Sequence, residues 1–119
     1  MVEMAEMDGA VIIPAHPCRG WDPKHKHKHE FPEQIVEHIV AIETLNGANT
    51  TRSNEWAERI AQRLGLPGTG GSDAHAIWQV GKCVTVFEND IANDEELVAE
   101  LKQGRFRAAY IEELLDTED

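Results

Sequence analysis

The sequence predicts an α/β fold, made mainly of parallel strands joined by crossover helices. Three observations point there. Short apolar runs rich in β-branched residues, such as Val11-Ile12-Ile13 and Val84-Thr85-Val86-Phe87, read as buried strands. Segments of helical periodicity alternate with them, giving the order β-α-β-α-β-β-α-β. Successive strands run into polar or ionisable residues, which is where parallel α/β folds place their sites.

Residues 2–8 read as a short helix end stopped by Gly9. Residues 10–14 follow as a first buried strand. Pro17, Pro23 and Pro32 and a repeated Lys-His pattern make residues 15–32 a long loop. Ile35, Val36 and Ile39 carry a short helix face, and a second strand runs from Ile39 to near Leu45. Trp56, Ile60 and Leu64 recur at helical spacing, with Ala57 and Ala61 beside them, so residues 54–64 form the clearest helix. Ser53 is its expected N-cap, and Gly65 and Pro67 end it. Leu66 to Gly71 is extended and breaks into a glycine-rich bend; Gly70 and Gly71 serve sterically, letting the chain turn so that Asp73 and His75 face inward. Val84–Phe87 is the next strand. Asn93 with Glu96 forms a capping box ahead of a helix that buries Leu97, Val98 and Leu101 and closes at Gly104. Phe106–Ile111 is a last strand, and Glu112–Asp119 an acidic, fraying tail.

Charge narrows the function. The 119 residues include 22 Asp and Glu against 11 Lys and Arg, a net charge of −11. Such a balance argues against a general nucleic-acid binder and against a basic membrane-surface helix. No run approaches the ~18 apolar residues of a membrane span, and the N-terminus lacks a signal peptide's pattern, so a cytoplasmic protein is expected. Cys18 and Cys83 are too few for a disulfide scaffold and read as buried thiols. The length suits one domain but not a complete (β/α)₈ barrel, which takes ~250 residues.

Reading the residues after each strand gives the candidate site. The first strand runs into His16-Pro17-Cys18-Arg19, the second into Glu43 and Asn46, the third into Ser72-Asp73-Ala74-His75. Asp73 and His75 supply a carboxylate and an imidazole, good donors for Zn, Mn or Fe, and His16 adds a second imidazole. The plain alternative is a hydrogen-bonded histidine and a Ser-Asp helix cap. Trp78 either walls this pocket or packs under the loop; Trp21 either covers it or packs locally; Trp56 reads as core. His25, His27 and His29 alternate with lysines in a proline-bounded loop. They read as a solvated loop near the mouth of the site rather than a metal site, because the lysines repel a cation.

Ile12-Ile13-Pro14-Ala15-His16-Pro17, Ile42-Glu43-Thr44-Leu45-Asn46-Gly47, Gly65-Leu66-Pro67-Gly68-Thr69-Gly70-Gly71-Ser72-Asp73-Ala74-His75, Val80-Gly81 and Thr85-Val86-Phe87-Glu88 occur in this order. The chain resembles the C-terminal half of PHP domains, the polymerase and histidinol phosphatase family of metal-dependent phosphoesterases. The resemblance covers residues 1–111 and leaves 112–119 as the tail. It implies a partial, distorted β/α barrel of the PHP type and phosphate-ester hydrolysis by a metal-activated water. It implies Zn, Mn or Fe held by His16, Asp73 and His75, with Asp73 and His75 carrying catalysis. It makes Arg19 a holder of the substrate phosphate, otherwise a surface loop arginine, and Asn46 a pocket-lining residue, with Glu43 structural behind them.

The family's opening H-x-H strand and further ligands have no counterpart in this chain. Half a barrel leaves an exposed strand edge, so a homo-oligomer or a separate N-terminal PHP half is expected as partner, alongside a small phosphorylated substrate. The competing expectation is a non-catalytic PHP module with a structural or interaction role.

Overall fold

The computed structural model describes residues 9–20 and 31–115. The expected helix at 2–8, Trp21, the Lys-His stretch and residues 116–119 lie outside the described residues. Eight elements follow in order: α1 (Glu33–Val36), β1 (Ile42–Asn46), α2 (Thr51–Leu64), β2 (Gly68–Gly71), β3 (Cys83–Phe87), α3 (Asp94–Gln103), β4 (Phe106–Tyr110) and α4 (Ile111–Leu115). A single 3₁₀ turn, Ile77–Gln79, sits between β2 and β3.

The α/β class holds, but the strands do not form one parallel sheet. β1 and β2 pair in parallel, Ile42 opposite Gly68 and Asn46 opposite Gly71, with a bulge between Glu43 and Leu45. β3 and β4 pair antiparallel, Cys83 opposite Tyr110 and Phe87 opposite Phe106. The two pairs are separate two-stranded sheets among the described residues, and they do not close as a barrel. α3 is therefore not a crossover. The chain leaves β3 at Phe87 and re-enters β4 opposite the same residue, with Glu88 N–H donating to the Arg105 carbonyl at 3.1 Å. Crossing would require the chain to start β4 at the far end. Glu100 braces the return: Arg105 donates to its two oxygens at 2.9 and 2.8 Å.

A side chain joins the sheets where a ladder was expected. The Thr85 hydroxyl accepts from Gly70 N–H and donates to the Gly70 carbonyl, both at 2.9 Å. It thereby satisfies both backbone groups that a neighbouring strand would otherwise take.

The first expected strand is also reduced. Residues 11–14 run beside the chain leading into β1 but form only an isolated parallel bridge, Ile12 with Ile39. The Val40 and Glu43 amides donate to the Ile12 and Pro14 carbonyls at 3.2 Å. Pro14 has no N–H to return, so the ladder stops.

α2 begins at Thr51, earlier than the periodicity suggested. Its N-cap is Thr50, whose hydroxyl oxygen accepts from Ser53 N–H at 3.1 Å; Ser53 is buried within the first turn. Ala57 and Ala61, not Trp56, form the innermost face, because their small side chains let the helix lie close to β1. Ala61 joins Ile39 and Ile42 in one apolar cluster flanked by Ile60 and Leu64. Trp56 is half-buried at the side, with the Arg59 guanidinium 4.7 Å from its ring centre. Ala41, Leu101 and Phe106 form a second cluster against Val11, Ile13 and Phe87.

The capping box is present: Asn93 Oδ1 accepts from Glu96 N–H at 2.9 Å, while Glu96 reaches back to Ala92 N–H at 2.7 Å. Gly65 and Gly104 end α2 and α3 in the left-handed conformation, at φ of 70° and 71°. The expected fraying tail starts instead as α4, directly after β4. No helix among the described residues is long and apolar enough to cross a membrane.

Candidate functional site

The site lies at the carboxyl ends of β1 and β2, which finish side by side at Asn46 and Gly71. The Pro14–Arg19 segment folds over these ends. Its turn is closed by Arg19 N–H donating to the His16 carbonyl at 3.2 Å.

Glu43 ties the segment down. Its Oε1 accepts from His16 N–H at 2.8 Å and from the Asn46 side-chain amide at 2.7 Å. The Asn46 Oδ1 accepts from Ala48 N–H at 2.9 Å and from an Arg19 terminal nitrogen at 3.2 Å. Arg19 Nε donates to Asn49 Oδ1 at 2.8 Å. The same guanidinium nitrogen that meets Asn46 pairs with the Asp73 carboxylate, across 54 residues of sequence. Behind the rim the buried Asn54 holds β1 in place, its Oδ1 accepting from Asn46 N–H and its Nδ2 donating to the Asn46 carbonyl, both at 3.1 Å.

The rim thus gathers Arg19, Asn46 and Asp73, with His16 close by, from three separated stretches. Asn49 and Asn54 were not anticipated. The asparagine-rich stretch Asn46-Gly47-Ala48-Asn49 followed by Asn54 was the available signal, since Asn serves both strand-end turns and local backbone bonding.

Among the described residues, two non-glycines adopt left-handed backbone conformations, His16 at φ 30° and Asp73 at φ 49°. Both are candidate ligands, and strained φ values concentrate at functional positions. Gly70 and Gly71 have no such φ, which corrects the reading of a glycine bend. Their role is space: a Cβ on Gly71 would lie 2.8 Å from Glu43 Oε2.

His75 is exposed. Its ring Nδ1 lies 2.9 Å from the Asp73 carbonyl, a contact that requires Nδ1 to donate and leaves Nε2 as the lone-pair nitrogen. Its backbone N–H donates to Gln79 Oε1 at 2.7 Å. Trp78 neither walls the pocket nor packs under the loop: it is 85 % exposed. Cys18 and Cys83 are buried free thiols, and burial pushes the Cys18 thiol up to about 11, far from nucleophilic use near neutrality.

The hydrogen bond from Arg19 holds the Asp73 carboxyl below the usual carboxylate range. Partial desolvation opposes this, while the Arg19 charge, the Asn46 amide and His16 add to it. A carboxylate depressed in the folded state stabilises the fold above its ordinary pKa of about 3.9, and that stabilisation drains away as pH falls through the lower folded value. Arg19→Gln should therefore be less stable than wild type near neutrality, with the gap narrowing steadily below about pH 4. Urea-unfolding midpoints of both proteins across the acid range check this. A gap that stays constant would mean that the ion pair contributes nothing.

Among the described residues no three of His, Cys, Asp and Glu converge as a metal centre. Asp73 is held by Arg19, and Glu43 by His16 and Asn46. By themselves these residues do not fit a multinuclear metal site.

The fold and the rim define a small α/β module with a polar site at strand carboxyl ends. Residues 51–106, from the start of α2 to the start of β4, match the family model PHP_C, described as PHP-associated. That stretch is therefore similar to a PHP-associated region, and the motif resemblance holds at that level. The match takes in Asp73 and His75; His16, Arg19 and Asn46 precede it. No curated protein and no solved structure gives a significant match.

Proposed function

We propose that the chain forms part of a phosphoester-hydrolysing site of the metal-dependent PHP type, completed by donors from outside the described residues. One observation carries this reading: Arg19, Asn46 and Asp73, separated in sequence, meet at the carboxyl ends of two parallel strands. Guanidinium and amide groups at such a rim suit a phosphate group, the guanidinium by paired donors to two oxygens. The acidic net charge is compatible with an anionic substrate, because bound cations reverse the local sign. The divalent Zn, Mn or Fe implied by the resemblance would draw Asp73 and His75 from this chain, His75 through Nε2; a complete centre needs more. The substrate class is a small phosphate monoester.

A second reading is a non-catalytic PHP-associated module. It is favoured by the Arg19 guanidinium sitting on Asp73 and by the fact that no third donor converges with a pair of others among the described residues.

One experiment separates the two. Tag-free protein is resolved by size, its metals per chain are counted, and hydrolysis of 4-nitrophenyl phosphate is followed with and without Mn. The enzymatic reading expects Mn-dependent turnover that falls at least ~100-fold in Asp73→Ala, the scale on which loss of a group acting at the reacting centre registers. No retained metal and no turnover at any protein concentration would overturn it and leave the module reading.

A further inference from the structure

The 3₁₀ turn after the Asp73–His75 pair lies outside both apolar clusters. Ile77 is 90 % exposed, Trp78 85 % and Val80 70 %, so three large apolar side chains stand in water within one short stretch. Single exposed apolar residues are ordinary on a protein surface, whereas a group this dense marks an association surface. The turn is held firmly. Gln79 Oε1 accepts from His75 N–H, and the Gln79 and Val80 amides donate to the Ala76 and Ile77 carbonyls at 3.0 and 3.2 Å.

Charge sets the same stretch apart. The chain carries twice as many acids as bases, yet residues 74–87 contain no Asp or Glu and a single base, Lys82. Two copies of net charge −11 repel across most of their surfaces. At the exposed part of this stretch, residues 77–82, they can meet through apolar contact without an acid of the stretch opposite another. The stretch also includes His75, two residues beyond Asp73, and the described donors of that rim fall short of a metal centre.

We propose that Ile77, Trp78 and Val80 form a self-association face. On it a second copy of the chain docks two-fold and brings the two Asp73–His75 rims together. A two-fold contact uses the same patch on both copies, which an acid-free apolar turn permits. Trp78 is its anchor, tryptophan being among the residues that carry most of the binding energy at interfaces. What the contact accomplishes, pooling donors from two rims, rests on the enzymatic reading above; the contact itself does not.

Sedimentation of the full chain over a range of concentrations tests the face, with circular dichroism confirming the fold of each variant. Wild type should self-associate, more tightly as salt screens the net charge. Trp78→Glu should weaken association at least ~10-fold, as truncation of an interface anchor does. Lys82→Glu places an acid in the stretch and should weaken association too, with a deficit that shrinks as salt rises. Mn per chain, counted on the same samples, should be retained by the dimer and lost in Trp78→Glu. A wild type that stays monomeric, or a Trp78→Glu protein that associates like wild type, would overturn the proposal and leave the turn to a different polypeptide. A dimer that Trp78→Glu disrupts but that holds no Mn would uphold the face and overturn the pooling of donors.

Discussion

Gly70→Ala should unfold the chain. A Cβ on Gly70 would lie 2.2 Å from the Val84 carbonyl oxygen and 2.8 Å from its carbon. Those atoms are backbone of β3 and cannot swing aside as a side chain would. Relief requires β2 to move away from β3, and β2 is held on both sides. Its Gly70 amide and carbonyl are bonded to the Thr85 hydroxyl, and Gly70 itself lies opposite Leu45 in the β1 ladder. Ordinary overpacking in a core costs about 1–3 kcal/mol. Here the clash adds to the loss of two partly buried hydrogen bonds, each leaving a group whose desolvation costs up to about 1–3 kcal/mol. The total comes to roughly 3–9 kcal/mol, comparable with the ~5–15 kcal/mol that keeps a domain folded. Far-UV circular dichroism and urea titration check this. Gly65→Ala is the control: that glycine has a left-handed φ but nothing within 4 Å of a Cβ, so only conformational strain of about 1 kcal/mol is expected. Equal midpoints for the two variants would mean that β2 and β3 do not approach as closely as described.

The same pair of strands marks where the sequence stopped being legible. Helix ends were readable because they depend on near neighbours: Asn93 with Glu96, Gly65 and Gly104 all do what their types dictate. Thr50 was missed as the cap of α2 only because Ser53, three residues on, is an equally good residue type. Strand direction was not readable, since a helix between two strands has the same periodicity whether its connection crosses the sheet or returns. What decides is the pairing of Phe87 with Phe106, whose rings stand 5.6 Å apart at 48°, and no local pattern announces that. The Thr85–Gly70 link is a single hydroxyl in a run that reads simply as strand. At the site, motif and position after strands singled out Arg19, Asn46 and Asp73, which the fold brings to one rim. The pairing of Arg19 with Asp73 was not legible, because it joins positions that only the completed fold brings together. Trp78 was ambiguous for a related reason: an aromatic in a loop reads alike whether it is covered or bare.

Glu43 offers the sharpest test of how fold and site depend on each other. Replacing it by Ala should cost roughly 2–4 kcal/mol, because two donors lose their acceptor while remaining half-buried: His16 N–H and the Asn46 side-chain amide. The damage should not stay local. His16 keeps its left-handed φ only while its surroundings impose it, and Asn46 presents Oδ1 to Arg19 only while Nδ2 is held by Glu43. Releasing both therefore loosens Arg19 from Asp73, although neither of those side chains touches Glu43. Glu43→Gln distinguishes this from a simple loss of charge. The amide keeps an Oε1 acceptor in the same place, so both hydrogen bonds survive and the cost should fall below about 1 kcal/mol. Stability measured at neutral and acid pH separates the outcomes further. In Glu43→Ala the acid-sensitive part of the stability should shrink, since Arg19 no longer holds Asp73, whereas Glu43→Gln should keep it. If Ala and Gln destabilise equally, the carboxylate's charge matters more than its position, and the rim is organised by electrostatics instead of by the hydrogen bonds of Glu43.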